Sequence, residues 1–297
     1  MRNLALILII SAFLISCGGS GSDNKSESSG NTQKKVSNIN ISILLDLSDR
    51  IDTVKYSATP QHYVRDINDI KTIADIFKKK IEIKKLYDLK DKIKVFFHPQ
   101  PEDVDIVNIS SKLNIDLSEQ SKEDISKVYD NIESIFTDNA NQLYKLVLKR
   151  KNFPGSNTWR FIKDNINQCI DKDSSYRNVL VIITDGYMYW PTDQRHEKNR
   201  YNYIEREYDH LKMFRQSDAL QNKFDTEDYG FIPAQTDLSS LEILVLGVAP
   251  DKNHPEDFDI LKKYWEKWFA EMKVKKYQIV QSDLPINTEK IIKGFFE

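Results

Sequence analysis

Three stretches of this chain are apolar almost without interruption and rich in β-branched residues. They are "NINISILLDLS" from Asn38, "NVLVIITDG" from Asn178 and "LEILVLGVAP" from Leu241. A strand with one wet face alternates apolar and polar residues. A strand that reads as a continuous apolar run is covered on both faces. Helical stripes stand between these runs. In "QHYVRDINDIKTIADIFKKKIEI" the residues Val64, Ile67, Ile70, Ile73, Ala74 and Phe77 recur on one face. In "EDFDILKKYWEKWFAEMK" the inward set is Phe258, Leu261, Trp265, Trp268, Phe269 and Met272. Strands alternating with helices predict an α/β fold, a mostly parallel central sheet with helices on both faces in a three-layer sandwich.

Weaker elements complete the pattern. "KIKVFFHP" is a strand stopped by Pro99, and "LNIDLS" (113–118) reads as an edge strand. "KEDISKVYDNIESIFTDNANQLYKLVLKRK" is helical with an expected break near Asp138 and Asn139. "KKYQIVQ" is a last strand and "NTEKIIKGFFE" a last helix. Cys169 falls at helical spacing with Trp159, Ile162 and Ile166, which marks a buried core thiol rather than a nucleophile.

The first 37 residues read differently. "MRNLALILIISAFLIS" places Arg2 before an apolar run too short to span a bilayer comfortably. "LISC" follows and resembles a bacterial lipobox, which implies cleavage after residue 16 and acylation of Cys17; the alternative is an ordinary signal peptide that happens to end near a cysteine. Acyl chains on Cys17 would anchor the chain to a membrane. Residues 17–37, rich in Gly and Ser and without aromatics, form a flexible tether to a domain spanning 38–297. Gly18 stands after Cys17 with no Asp, and by resemblance to bacterial sorting rules this favours the outer membrane over the inner. With Cys17 acylated, Cys169 is left without an intramolecular partner. The formal net charge of -2 carries no basic footprint for nucleic acid.

Two of the three central runs end on oxygen ligands: "DLSDR" after the first and "TDG" after the second. In open parallel sheets, ligands gather at the carboxyl ends of strands where the strand order reverses. Asp46 and Asp185 both stand at such ends, and two carboxylates placed together repel unless positive charge lies between them. With "PGSNT", which precedes a helix, these loops resemble the metal-ion-dependent adhesion site of von Willebrand factor A domains. That family's pattern is D-x-S-x-S, a Thr-bearing Gly loop and a later strand-end Asp. The resemblance places Asp46, Ser48, Ser156, Thr158 and Asp185 around Mg²⁺ or Mn²⁺. It implies a non-enzymatic module that binds a protein partner through an acidic residue on the ion. Hydroxyls and a few carboxylates suit such a hard cation on chemical grounds as well.

One position departs from the pattern. Arg50 takes the place of the last serine and cannot ligate a metal. Either Asp49 or a water supplies the missing oxygen, or the Arg50 guanidinium sits between Asp46 and Asp185 and neutralises them without metal. A purely structural role is also open: Asp46 or Ser48 turns the strand, and Ser156 or Thr158 caps the next helix. The last possibility is a metal-free scaffold. An enzymatic alternative also exists, since "LLDLSD" is loosely similar to the nucleophile strand of Mg²⁺-dependent haloacid-dehalogenase-like phosphatases. Ser48 stands where that family carries a second acid. The five histidines show no metal-ligand spacing, and no nucleophile elbow or phosphate loop is present.

Residues 187–237 form an insertion directly after Asp185. Its aromatics include Tyr187, Tyr189, Trp190, Tyr201, Tyr203, Tyr208, Phe214, Phe224, Tyr229 and Phe231. Aromatics among charges suit an interaction surface. Helical spacing in "NYIEREYDHLKMF" predicts a helix that buries about half of them.

Overall fold

The computed structural model describes residues 37–206, 209–216 and 219–297. The expected lipobox at Cys17 and nearly all of the expected tether lie outside the described residues. In chain order the strands are β1 (Asn38–Leu45), β2 (Lys92–Phe96), β3 (Asn114–Asp116), β4 (Tyr176–Ile183), β5 (His196–Glu197), β6 (Arg200–Tyr201), β7 (Gly230–Phe231), β8 (Leu241–Val248) and β9 (Lys276–Gln281). The helices are α1 (His62–Glu82), α2 (Val104–Ser111), α3 (Lys122–Arg150), α4 (Thr158–Asn165), α5 (Asp209–Phe214), α6 (Ala219–Asn222), α7 (Asp257–Glu271) and α8 (Pro285–Phe296).

Six strands make one sheet in the order β3-β2-β1-β4-β8-β9. All neighbours run parallel except β3, which is antiparallel to β2. The period of two along each central strand assigns its side chains to the two faces. Ile39, Ile41, Ile43 and Leu45 of β1, with Val179, Val181 and Ile183 of β4, join the core under α1, α3 and α8. Leu44, Leu180, Ile182, Ile243 and Val245 join the opposite core, with Trp159 and Ile162 of α4 and Trp265, Trp268 and Phe269 of α7. Both faces are therefore covered, which is why the runs read as continuously apolar. A polar pair is also enclosed: Asn40 Nδ2 donates to Asn178 Oδ1 at 2.9 Å and to the Cys169 carbonyl at 3.0 Å.

Several elements differ from expectation. Helix α3 is unbroken over 29 residues. The Asn139 amide donates to the Ile135 carbonyl one turn back at 2.7 Å, and Asp138 faces solvent, so neither residue competes with the helical backbone. Helix α2 carried no stripe to announce it, because only Ile106 is buried; Asp103 starts it by accepting from the N–H groups of Asp105 and Ile106. Cys169 is buried as expected, but in a 3-10 turn (Ile166–Cys169) that follows α4. Burial pushes its thiol up to about 12, consistent with an inert core group.

The insertion is less helical than its spacing suggested. It holds the short helices α5 and α6 and a three-stranded sheet, β5-β6-β7. Ile204 explains the difference: its N–H donates to the Met188 carbonyl at 2.7 Å and its carbonyl accepts from Met188 N–H at 3.0 Å. The start of "NYIEREYDHLKMF" is thus held extended against the loop leaving β4. Tyr187, Tyr203, Phe214, Phe224, Tyr229 and Phe231 are buried, more of the rings than expected. Phe224, Phe231 and Phe214 pack edge-on around Tyr264 of α7. Arg215 forks onto Asp257 at the start of α7, with Nε to Oδ1 at 2.7 Å and Nη2 to Oδ2 at 2.8 Å.

Candidate functional site

Strands β1 and β4 lie side by side, and β2 and β8 flank them on opposite sides. Connections from β1 and β4 therefore leave in opposite directions along the sheet, which makes their carboxyl ends the switch point where a crevice opens. Asp46 follows β1 and Asp185 stands two residues beyond β4. Asp46 N–H still pairs with the Ile183 carbonyl at 3.0 Å, so the parallel ladder carries the first aspartate to its place.

A cleft of about 560 Å³ lies at this point. Asp46, Ser48, Asp49, Ser156 and Asp185 line it, together with Tyr56, Tyr187, Tyr189 and Trp190. Thr158 is buried behind this lining, its Oγ1 3.3 Å from Ser156 Oγ. The loop bearing Ser156 is tied to the first loop by a bridge between Leu47 and Gly155, with Gly155 N–H donating to the Leu47 carbonyl. Gly155 has φ +84°, and a Cβ there would stand 2.6 Å from the Trp190 ring. Only glycine lets the loop pass under that indole. The helix after this loop is capped by Asn157, whose Oδ1 accepts from Arg160 N–H at 3.0 Å. Neither Ser156 nor Thr158 caps it, so the capping role foreseen for them is incorrect.

Both oxygens of Asp46 are engaged. Oδ1 accepts from Ser48 N–H at 2.8 Å, and Oδ2 from the Thr184 hydroxyl at 2.8 Å. Thr184 Oγ1 also accepts from Gly186 N–H at 3.2 Å, so this threonine couples the two strand-end loops. Burial raises the Asp46 carboxyl above the ordinary carboxylate range; Arg50 opposes that and Asp185 adds to it.

Arg50 does not lie between the two site aspartates. It is 2% exposed and turned toward α1 and α3. Its Nη2 donates to Asp66 Oδ2 at 2.7 Å and its Nε to the Asp46 carbonyl at 3.1 Å, with Asp46 Oδ2 at 3.7 Å. Tyr144 of α3 donates to the same Asp66 oxygen at 2.8 Å. Burial works against the Arg50 charge, but Asp66 and Asp46 outweigh it and hold its pKa above the ordinary value. The reading in which Arg50 bridges Asp46 and Asp185 is thereby corrected. Asp49 lines the cleft and is ion-paired to Lys55.

The counter-charge of Asp185 comes instead from the insertion. Arg206 Nη2 donates to Asp185 Oδ2 at 2.7 Å. The guanidinium lies between two rings, 4.7 Å from the Tyr56 centroid and 4.5 Å from that of Tyr187. Such stacking suits a planar, weakly hydrated cation. Burial opposes its charge, and Asp185 with Tyr187 more than offsets that. No motif marks Arg206, and only its place in an aromatic insertion after Asp185 hinted at it.

The donor chemistry fits a hard cation. Two carboxylates and the Ser48 and Ser156 hydroxyls line one cleft, with Thr158 behind, the kind of oxygen set a hard cation takes. Among the described residues no group of three or more His, Cys, Asp or Glu side chains is arranged to hold a metal, so hydroxyls would have to complete any such site.

No family model matches the chain, and no curated protein matches it. Among solved structures it is similar to an aerotolerance-related membrane protein from Bacteroides fragilis, at 12% identity and a TM-score of 0.33, over 87% of this chain and 98% of that one. Among the described residues no helix is long and apolar enough to cross a membrane.

Proposed function

We propose that the chain is a lipid-anchored binding module of the cell envelope, of the von Willebrand factor A type, that docks a protein partner in the strand-end cleft. The observation that carries this reading is the meeting of Asp46, Ser48, Ser156 and Asp185 in one cleft at the switch point of a doubly wound sheet. Asp46, Ser48, Asp185 and a hydroxyl of Ser156 or Thr158 would hold Mg²⁺ or Mn²⁺. The ion would supply a positive centre for an acidic group of the partner. Arg206 competes with the cation for Asp185 and keeps the carboxylate pair compensated when the cation is absent. Tyr189, 41% exposed, and Trp190 form an aromatic rim suited to a partner surface.

The phosphatase alternative is less well supported. Ser48 stands where that family carries its second acid, and a hydroxyl does not replace it. Cys17 would carry the anchor, in the outer membrane by preference, and Cys17→Ser would release the chain from the membrane fraction.

A photo-crosslinker placed at Tyr189 in cells tests the docking. It should capture a discrete partner protein, and the capture should fall on Asp46→Ala with Asp185→Ala. A crosslinker at the exposed Tyr87 should capture nothing comparable. A capture at Tyr189 unaffected by the double substitution would overturn the reading, as would phosphate-ester turnover that depends on Asp46.

A further inference from the structure

A second cleft, of about 460 Å³, opens beside the first. Lys55, Tyr56 and Arg206 line both and form the wall between them. The second cleft also lies at the carboxyl edge of the sheet, lined by Ala249 and Pro250 after β8 and by Gln281 and Ser282 at the end of β9. Its volume falls within the range of about 300–1,000 Å³ common to small-molecule sites. Its charge is opposite to that of the strand-end site.

Five of its lining side chains are basic or imidazole: Lys55, His62, Arg65, Arg206 and Lys252, against the single acid Asp251. Lys55 and Arg206 are already compensated by Asp49 and Asp185. Arg65 and Lys252 are in no ion pair among the described residues, although Asp69 and Asp283 feel the Arg65 charge. Arg65 donates to the Pro60 carbonyl at 3.1 Å, the Thr59 carbonyl at 3.2 Å and Ser282 Oγ at 2.5 Å. Lys252 donates to the Ser57 carbonyl at 2.6 Å. All four acceptors are neutral, and neither residue forms an ion pair among the described residues. Asp251 is turned to the backbone, its Oδ1 accepting from Asn253 N–H at 2.8 Å.

These bonds fix the two cations in place without spending their charge. Arg65 has five N–H donors and three are used, one to each acceptor, which leaves two for a ligand. His62 adds to the picture. Its pKa is pushed down to about 4, by burial first and then by Arg50, with Asp66 opposing and Arg65 and Arg206 adding to the fall. It is neutral at physiological pH and keeps a ring N–H to donate. The first turn of α1 carries no acidic residue and no side-chain cap, and the next acids, Asp66 and Asp69, are buried.

We propose that this cleft binds a compact oxyanion, a phosphate or carboxylate group borne by a small-molecule ligand, held by Arg65 and Lys252 with the His62 imidazole beside them. The site is distinct from the strand-end cleft and does not depend on the binding-module reading. Charge-assisted hydrogen bonds from a guanidinium and an ammonium to one oxyanion supply the affinity.

The test is calorimetric titration of the full chain with inorganic phosphate and, separately, with acetate, at ionic strength held constant with chloride. At least one anion should bind saturably, and the tighter of the two identifies the group the ligand carries. Lys252→Gln should weaken that binding by about tenfold or more, because a charged donor is lost, while Lys252→Arg retains it. Lys252 is exposed and among the described residues bonds to a single carbonyl, so the variant should melt like wild type. Arg65→Gln should also lose binding, with its melting curve recorded because Arg65 ties α1 to Ser282. Non-saturating heats with both anions in wild type would overturn the proposal. So would a Lys252→Gln variant that melts normally and binds as tightly as wild type.

Discussion

Replacing Arg50 with Met removes the cation paired with Asp66 in the buried layer between β1, α1 and α3. Arg50 and Asp66 are each 2% exposed, and the pair closes at 2.7 Å. The side-chain volume is roughly kept, so the main consequence is electrostatic. Asp66 would retain the Tyr144 hydroxyl at 2.8 Å as a neutral donor, but no charge would oppose it. The Asp46 carbonyl would also lose its Nε–H partner. Breaking a buried ion pair from one side costs about 3–5 kcal/mol. For a domain of this size each kcal/mol shifts the melting temperature by about 2–4 °C, so the expected drop is on the order of 10 °C. Adding Asp66→Leu to Arg50→Met should recover most of that loss, because the stranded carboxylate goes with its partner. Denaturant melts of wild type, both single variants and the double variant form a cycle that isolates the pair. An Arg50→Met protein within about 1 kcal/mol of wild type would refute the argument, since it would mean the pair contributes no more than a surface ion pair does.

Other substitutions probe neighbouring parts of the site. Thr184→Val should cost about 1–3 kcal/mol in a thermal melt, since it strands the Asp46 carboxylate oxygen and the Gly186 N–H that its hydroxyl joins. Gly155→Ala should destabilise by about 1–3 kcal/mol, because its φ of +84° and the Trp190 ring leave no room for a Cβ. Asp46 titrates above the ordinary carboxylate range, through burial first and the Asp185 charge in addition, with Arg50 opposing. The folded state therefore holds this proton more tightly than the unfolded state does. Its contribution to stability is present at low pH and is lost as pH rises through the raised folded value. In cation-free buffer Asp46→Asn should flatten that decline above about pH 4, and stability measured by denaturant at a series of pH values checks it.

How much of this was legible in the sequence depended on whether the signal was local. Asp46 and Asp185 could be found because each ends an apolar run, and the run fixes where the strand stops. The two faces of β1 and β4 followed from the same continuous runs. Arg50 was visible as an intruder in the first loop, but its partner was not. Asp66 sits in a helix dense with charge, and nothing local marks it as the one turned inward toward Tyr144 of α3. Arg206 reaches Asp185 from an insertion whose path is set by the backbone pairing of Ile204 with Met188. That pairing is a tertiary contact that overrode the helical spacing of the same stretch. That Arg65 and Lys252 bond to neutral acceptors was equally hidden, since it depends on tertiary contacts.

On the proposed reading the strand-end oxygens form a cation site, with Arg206 lending the positive charge in the absence of the ion. Thermal melting with Mg²⁺ and with chelator, in wild type, Asp46→Ala and Arg206→Gln, tests it most directly. A ligand at about a hundredfold excess over its dissociation constant stabilises the native state by about 2.7 kcal/mol. Wild type should shift upward with Mg²⁺, and Asp46→Ala should not. Arg206→Gln should melt lower in chelator and gain more from Mg²⁺ than wild type does, because the competitor for Asp185 is gone. A flat response to Mg²⁺ in both wild type and Arg206→Gln would contradict the account and leave the cleft a metal-free scaffold.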